Sequence, residues 1–124
     1  MGFNVGMETA RPFDLEERTF LFAKRVRSFV KRLPRTVGNV EDGKQLVRSS
    51  GSVGANYIEA NESLSRKDFV LRVKISRKEA KESGYWLRLI DPGEDQVAEL
   101  ERQALIQESA ELMKIFGAMV RKSE

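Results

Sequence analysis

The sequence predicts an all-α fold, an up-down-up-down antiparallel four-helix bundle, on three observations. No segment alternates apolar and polar residues with the period of a strand. Apolar residues recur instead at spacings of three, four and seven along four long segments. The breaks between those segments are loops of about five residues, a length that joins antiparallel neighbours.

The first helix is expected from Leu15 to Leu33. Asp14 is a good N-cap, Glu16 and Glu17 follow in the first turn, and Arg25, Arg27, Lys31 and Arg32 gather toward the end, the order a helix dipole favours. Leu15, Phe22, Val26, Phe29 and Leu33 make one core stripe, and Pro34 stops the helix. Residues 1–12 read as a flexible N-terminal segment and residues 13–122 as a single bundle domain.

The second helix is expected from Val40 to Asn61, with Leu46, Ser50, Val53 and Tyr57 facing inward. Its stretch RSSGSVGANYIEAN, residues 48–61, is stripped of bulk. Gly51 and Gly54 each cost about 1 kcal/mol relative to Ala in a helix interior, so close approach of a neighbouring helix is expected to compensate. Ser49, Ser52, Asn56 and Glu59 form a small polar seam beside the stripe. The seam reads either as helix packing, with Asn56 and Glu59 hydrogen-bonded, or as a ligand or nucleic-acid site.

Ser65 and Asp68 resemble a capping box opening the third helix. Its core stripe is Phe69, Val73, Ser76, Ala80, Ser83, Leu87 and Ile90. A second apolar line, Leu71, Ile75, Tyr85 and Leu89, lies outside that stripe, and helix one adds Phe20 and Val30. With Trp86 these are candidates for an oligomer interface, since a lone bundle would expose them as a patch. Asp91-Pro92-Gly93 makes a turn. The fourth helix, Glu94 to Lys122, carries Leu105, Leu112, Phe116 and Met119 on one line, with Ile106, Ala110, Met113 and Val120 beside it.

Composition narrows function. The 124 residues include no Cys and no His, which removes disulfide frameworks, thiolate and Ser-His-Asp catalysis, and imidazole metal sites. A non-enzymatic protein without cofactor or metal, in a reducing cytoplasm, is expected. No apolar run suits a membrane span, so no membrane partner is expected either.

Three motifs are weak matches to known chemistry. Gly38 to Gln45 has the Gly-x-x-x-x-Gly-Lys part of a phosphate loop, but Gln45 stands where a hydroxyl is needed and Glu41 and Asp42 would repel phosphate. Gly51-Ser52-Val53-Gly54 has only the spacing of a KH-domain loop. Glu79 and Glu82 share a helix face and read as ion-paired structure beside Lys78 and Lys81 rather than as metal ligands or an acid–base pair.

Charge favours one partner class. From Arg66 to Arg88 there are eight Lys or Arg against three acids, whereas Glu94 to Glu124 holds four against seven. Lys67, Lys74, Lys81 and Arg88 recur every seven residues, flanked by Arg77 and Lys78. These six are candidates for a track of RNA or DNA phosphate contacts. The competing expectation is a solvated face whose cations pair with acids of helix four or another subunit. An oligomeric scaffold for a protein partner is the alternative function.

The segments FDLEERTFLFAKRVRSFVKRLPRT, QLVRSSGSVGANYIEANESLSRKDF and VKISRKEAKESGYWLRLI resemble signature stretches of the bacterial four-helix bundle family encoded in intervening sequences of large-subunit ribosomal RNA genes. The similarity runs over about residues 13 to 118, with a more distant likeness to the accessory variability protein of diversity-generating retroelements. Arg48, Ser52, Asn56 and Glu59, with Glu79 and Glu82 on the next helix, match the family's most recognisable pattern. Ser76 and Arg77 stand where members commonly carry Ala and Leu. The resemblance implies a cytoplasmic, non-enzymatic homopentamer, with nucleic-acid binding proposed for several members.

Overall fold

The computed structural model describes residues 12–124, as four helices in an all-α bundle. They are α1 (Pro12–Lys31), α2 (Val37–Asn61), α3 (Arg66–Leu89) and α4 (Gln96–Ser123). The expected N-terminal segment, residues 1–12, lies outside the described residues except for Pro12, which lies in α1. Each helix packs against its two neighbours in the order α1, α2, α3, α4 and back to α1.

Local chemistry sets the helix ends. The described part of α1 runs from Pro12, so Asp14 lies inside the helix instead of capping it. α2 starts three residues early, at Val37, because the Thr36 hydroxyl accepts a hydrogen bond from the Asn39 N–H at 3.1 Å. Gly38 lowers helix propensity there but does not prevent the turn. Ser65 caps α3 by accepting from the Asp68 N–H at 3.0 Å, and Asp95 caps α4 by accepting from the Ala98 N–H at 3.1 Å.

Asn39 ties two loops together at one end of the bundle. Its Nδ2 donates to the carbonyls of Pro34 (3.1 Å) and Asp91 (2.8 Å), while its Oδ1 accepts from the Asp91 N–H at 3.1 Å. The α1–α2 and α3–α4 connections therefore share an end, as alternating helix direction requires. Gly93 adopts φ +71°, a left-handed conformation, and its N–H donates to the Asp91 carboxylate at 2.9 Å.

The core is the set of expected stripes. Leu15, Phe22, Val26, Phe29 and Leu33 of the α1 segment are buried, as are Leu46, Val53 and Tyr57 of α2, Val73, Ala80 and Leu87 of α3, and Leu105, Leu112 and Phe116 of α4. Tyr57 and Phe116 meet across the bundle with ring centroids 5.6 Å apart. Each fully buried side chain of this size contributes roughly 1.5–3 kcal/mol relative to an exposed one. Phe69 and Met119 are only partly buried and pack against the core from the edge.

The helix pairs are joined in different ways. α2 and α3 share the most extensive interface and α1 and α4 the sparsest. Across the sparse side run charged bridges: Arg18 to Glu108 at 2.7 Å and to Glu111 at 3.1 Å, Arg25 to Glu101 at 3.1 Å, and Arg32 to Asp95 at 2.8 Å. The hydrogen bond to Glu108 raises the Arg18 pKa further. Such half-exposed pairs are each worth up to about 1 kcal/mol, so they orient α1 against α4 more than they drive folding.

Candidate nucleic-acid interface

α3 presents its basic residues on the flank facing outward beside α4. Lys67, Lys74, Lys78, Lys81 and Arg88 are exposed, and Arg77 is half-buried where its stem crosses α4 at Gly117. Seven residues are close to two helical turns, so Lys67, Lys74, Lys81 and Arg88 follow one side over about 32 Å. Among the described residues only Lys74 of the six has an ion pair, to Glu124 at 3.5 Å.

The expected pairing of helix-three cations with acids of helix four occurs once among the described residues, at Lys74 and Glu124. Glu101, Glu108 and Glu111 of α4 and its N-cap Asp95 turn to the opposite side and pair with Arg25, Arg18 and Arg32 of the α1 segment. Helical geometry is the reason: Glu101 and Glu108 are seven apart and so share the face turned to α1. Sequence reasoning did not single out Arg121, whose Nη1 lies beside Gly117, as does Arg77 Cδ; its signal is the spacing of Lys114, Gly117 and Arg121 on one face of a helix that carries more acids than bases.

The polar seam of α2 is a packing seam. Ser49 Oγ lies 2.9 Å from Ser83 Oγ, and Ser76 donates to the Val53 carbonyl at 2.9 Å, all deep between α2 and α3. Arg48 bonds Glu79 at 3.2 Å and Glu82 at 3.3 Å across the same interface. The two glutamates thus pair with an arginine of α2, not with Lys78 or Lys81 of their own helix. Asn56 donates to the Ser52 carbonyl at 2.9 Å and accepts from Arg72 at 3.2 Å. Glu59 departs from expectation: its side chain is exposed and makes no hydrogen bond among the described residues.

Gly54 faces α1 instead of α3. A Cβ there would sit 2.9 Å from Thr19 Oγ1 and 3.2 Å from Thr19 Cβ, so only glycine fits without a shift. Both loop-like motifs fall inside a regular helix. Residues 38–45 and 51–54 lie within the regular helix α2, so neither forms the loop that its motif requires.

A family model described as 23S rRNA-intervening sequence protein matches residues 12–118. The chain belongs to this family. It is also similar to a solved structure, the crystal structure of a protein of unknown function from the S23 ribosomal protein family of Bacteroides thetaiotaomicron. That likeness has 30% identity and a TM-score of 0.74, covering 89% of this chain and 97% of the other. No curated protein matches.

In this intervening-sequence family member the apolar line of α3 divides. Leu71, Tyr85 and Leu89 are 54%, 54% and 50% exposed. Ile75 is half-buried, and Trp86 packs against the core with its ring edge-on to Tyr85 at 5.0 Å. The Trp86 Nε1 is buried without a hydrogen-bond partner among the described residues. Phe20 is exposed on α1, the helix diagonal to α3, whereas Val30 packs against the core. Leu71, Tyr85 and Leu89 therefore form a surface separate from Phe20. Among the described residues no helix is long and apolar enough to cross a membrane, and no group of three or more acidic residues could hold a metal ion.

Proposed function

We propose that this protein is a non-enzymatic, cytoplasmic homo-oligomer, a pentamer by family resemblance, that binds RNA or DNA through phosphate contacts on the basic flank of α3. The observation that carries the reading is that Asp95, Glu101, Glu108 and Glu111 pair with arginines of the α1 segment while, among the described residues, only Glu124 reaches α3, at Lys74. This leaves Lys67, Arg77, Lys78, Lys81 and Arg88 without ion-pair partners among the described residues. Unpaired cations along a rigid rod retain their field for a polyanion, whereas paired ones would have to be freed first. Binding of this kind positions a protein on a backbone without reading bases.

The test is salt dependence. Binding to a structured RNA or a DNA duplex should weaken steeply between 50 and 200 mM salt, as expected when several phosphates are neutralised. Lys67→Glu with Lys81→Glu should abolish binding and leave helicity unchanged. A wild type that binds neither nucleic acid at low ionic strength would overturn the reading. The exposed line of Leu71, Tyr85 and Leu89 favours a second reading, an apolar protein-interaction scaffold, whose association would be nearly indifferent to salt.

A further inference from the structure

We propose that Tyr85 is a base-stacking platform set into the cation track of α3, and that the ligand of the track is a single-stranded nucleic acid with unpaired bases. The inference rests on the nucleic-acid reading above and names the form of that partner. Lys81 precedes Tyr85 by four residues and Arg88 follows it by three, the two spacings at which side chains of a helix are surface neighbours. Lys67 and Lys78 lie eighteen and seven residues before it, five and about two helical turns, on the same side of the rod. Leu71 and Leu89, also eighteen apart, share a line turned about 40° from Tyr85. Tyr85 therefore stands on the basic edge of the apolar line, next to the cations.

The ring is both available and braced. Tyr85 is 54% exposed, and its contact with Trp86 is edge-to-face, with centroids 5.0 Å apart and planes at 74°. Such a pair covers one face of one ring only, so Trp86 leaves at least one face of Tyr85 uncovered. Trp86 is itself packed against the core, which gives the tyrosine a fixed neighbour. The acid one turn away, Glu82, is engaged by Arg48 at 3.3 Å, and among the described residues Lys78, Lys81 and Arg88 form no ion pair. A phosphate held by Lys81 or Arg88 brings an adjoining base within reach of the ring that lies between them. In a duplex each base is stacked on its neighbours and shows only its edges, so an aromatic side chain takes up a base where it is unpaired. Every base has a π-face, and the platform favours single strands without reading their sequence.

Oligothymidylate and an abasic oligonucleotide of equal length separate the bases from the phosphates, because the two strands carry the same charge. Wild type should bind oligothymidylate about 5- to 150-fold more tightly than the abasic strand, the difference expected for one stacked base. Tyr85→Ala should bring the affinity for oligothymidylate down to that for the abasic strand, and Tyr85→Phe, which keeps the ring, should restore it. Neither variant should alter the slope of log affinity against log salt, whereas Lys81→Gln should lower it by about 0.7, the value for one charge on a single strand. Equal affinity of wild type for the two strands would overturn the platform and retain the proposed function. A Tyr85→Ala variant of reduced oligomeric mass would place Tyr85 in a subunit contact and overturn the platform as well. A wild type without salt-dependent binding to any strand, single or double, would overturn the proposed function and the platform with it.

Discussion

Gly54 sets propensity and packing against each other at a single position. Alanine there gains about 1 kcal/mol of helix propensity but drives a methyl into Thr19, a β-branched residue whose hydroxyl is held by the carbonyls of Leu15 (2.9 Å) and Glu16 (3.0 Å). Overpacking should win, and Gly54→Leu should destabilise the bundle by about 1–3 kcal/mol. A denaturant midpoint at or above that of wild type would contradict this. Arg48 offers a second test, because Glu79 is only 7% exposed and Arg48 is its cation. Arg48→Met alone should cost about 1–2 kcal/mol, discounted because the arginine is half-exposed. Adding Glu79→Gln should recover part of that loss, and a double-mutant cycle measures the coupling. Strict additivity would mean that the pair contributes nothing.

At the scale of elements, carboxyls held chiefly by hydrogen bonds within α4, with arginines of the α1 segment second, make stability depend on acid. The Asp95 carboxyl is held below its ordinary value of 3.8, chiefly by the Ala98 N–H and then by Arg32. Hydrogen bonds from Arg102 lower Glu99, and those from Gln107 and then Arg18 lower Glu111, both from 4.5. A carboxyl depressed in the folded state stabilises it fully above the unfolded value, and that contribution fades as pH falls through the folded value. Melting temperature should therefore be flat above about pH 5 and decline from about pH 4.5 downward. Asp95→Asn, which retains a capping side chain, should make that acid decline shallower; an unchanged acid limb would remove Asp95 from the account. The bridges from Arg18, Arg25 and Arg32 take four acids of the α4 segment, and among the described residues only Glu124 reaches a cation of α3, Lys74.

For the whole molecule, the half-exposed line of Leu71, Tyr85 and Leu89 predicts self-association. Light scattering at tens of micromolar should give a mass that is a multiple of 14.1 kDa. Leu71→Arg with Leu89→Arg should shift it to the monomer without loss of helical signal. A monomeric wild type would instead leave these residues as scattered surface apolars, a common finding on soluble domains. Repetition of the α3 flank around an oligomer would also multiply weak phosphate contacts, so the monomeric variant should bind nucleic acid more weakly than wild type.

The sequence by itself determined the four helices, their core stripes and the turn at Asp91-Pro92-Gly93, because periodicity and turn chemistry are local. It also marked the small-residue stretch of α2 as a site of close approach. It placed the start of α2 three residues late, because the Thr36 cap lies ahead of Gly38, and the start of α4 two residues early, because Asp95 is its cap. Which helix each residue meets was decided only by tertiary structure. Gly54 meets Thr19 of α1, Ser49 meets Ser83 of α3, and Arg48 reaches Glu79 and Glu82. The fate of α4's acids was decided in the same way. Helix composition sums charge over all faces, but an ion pair forms between two particular faces at about 3 Å, and only the packing of α1, α3 and α4 together selects which faces those are.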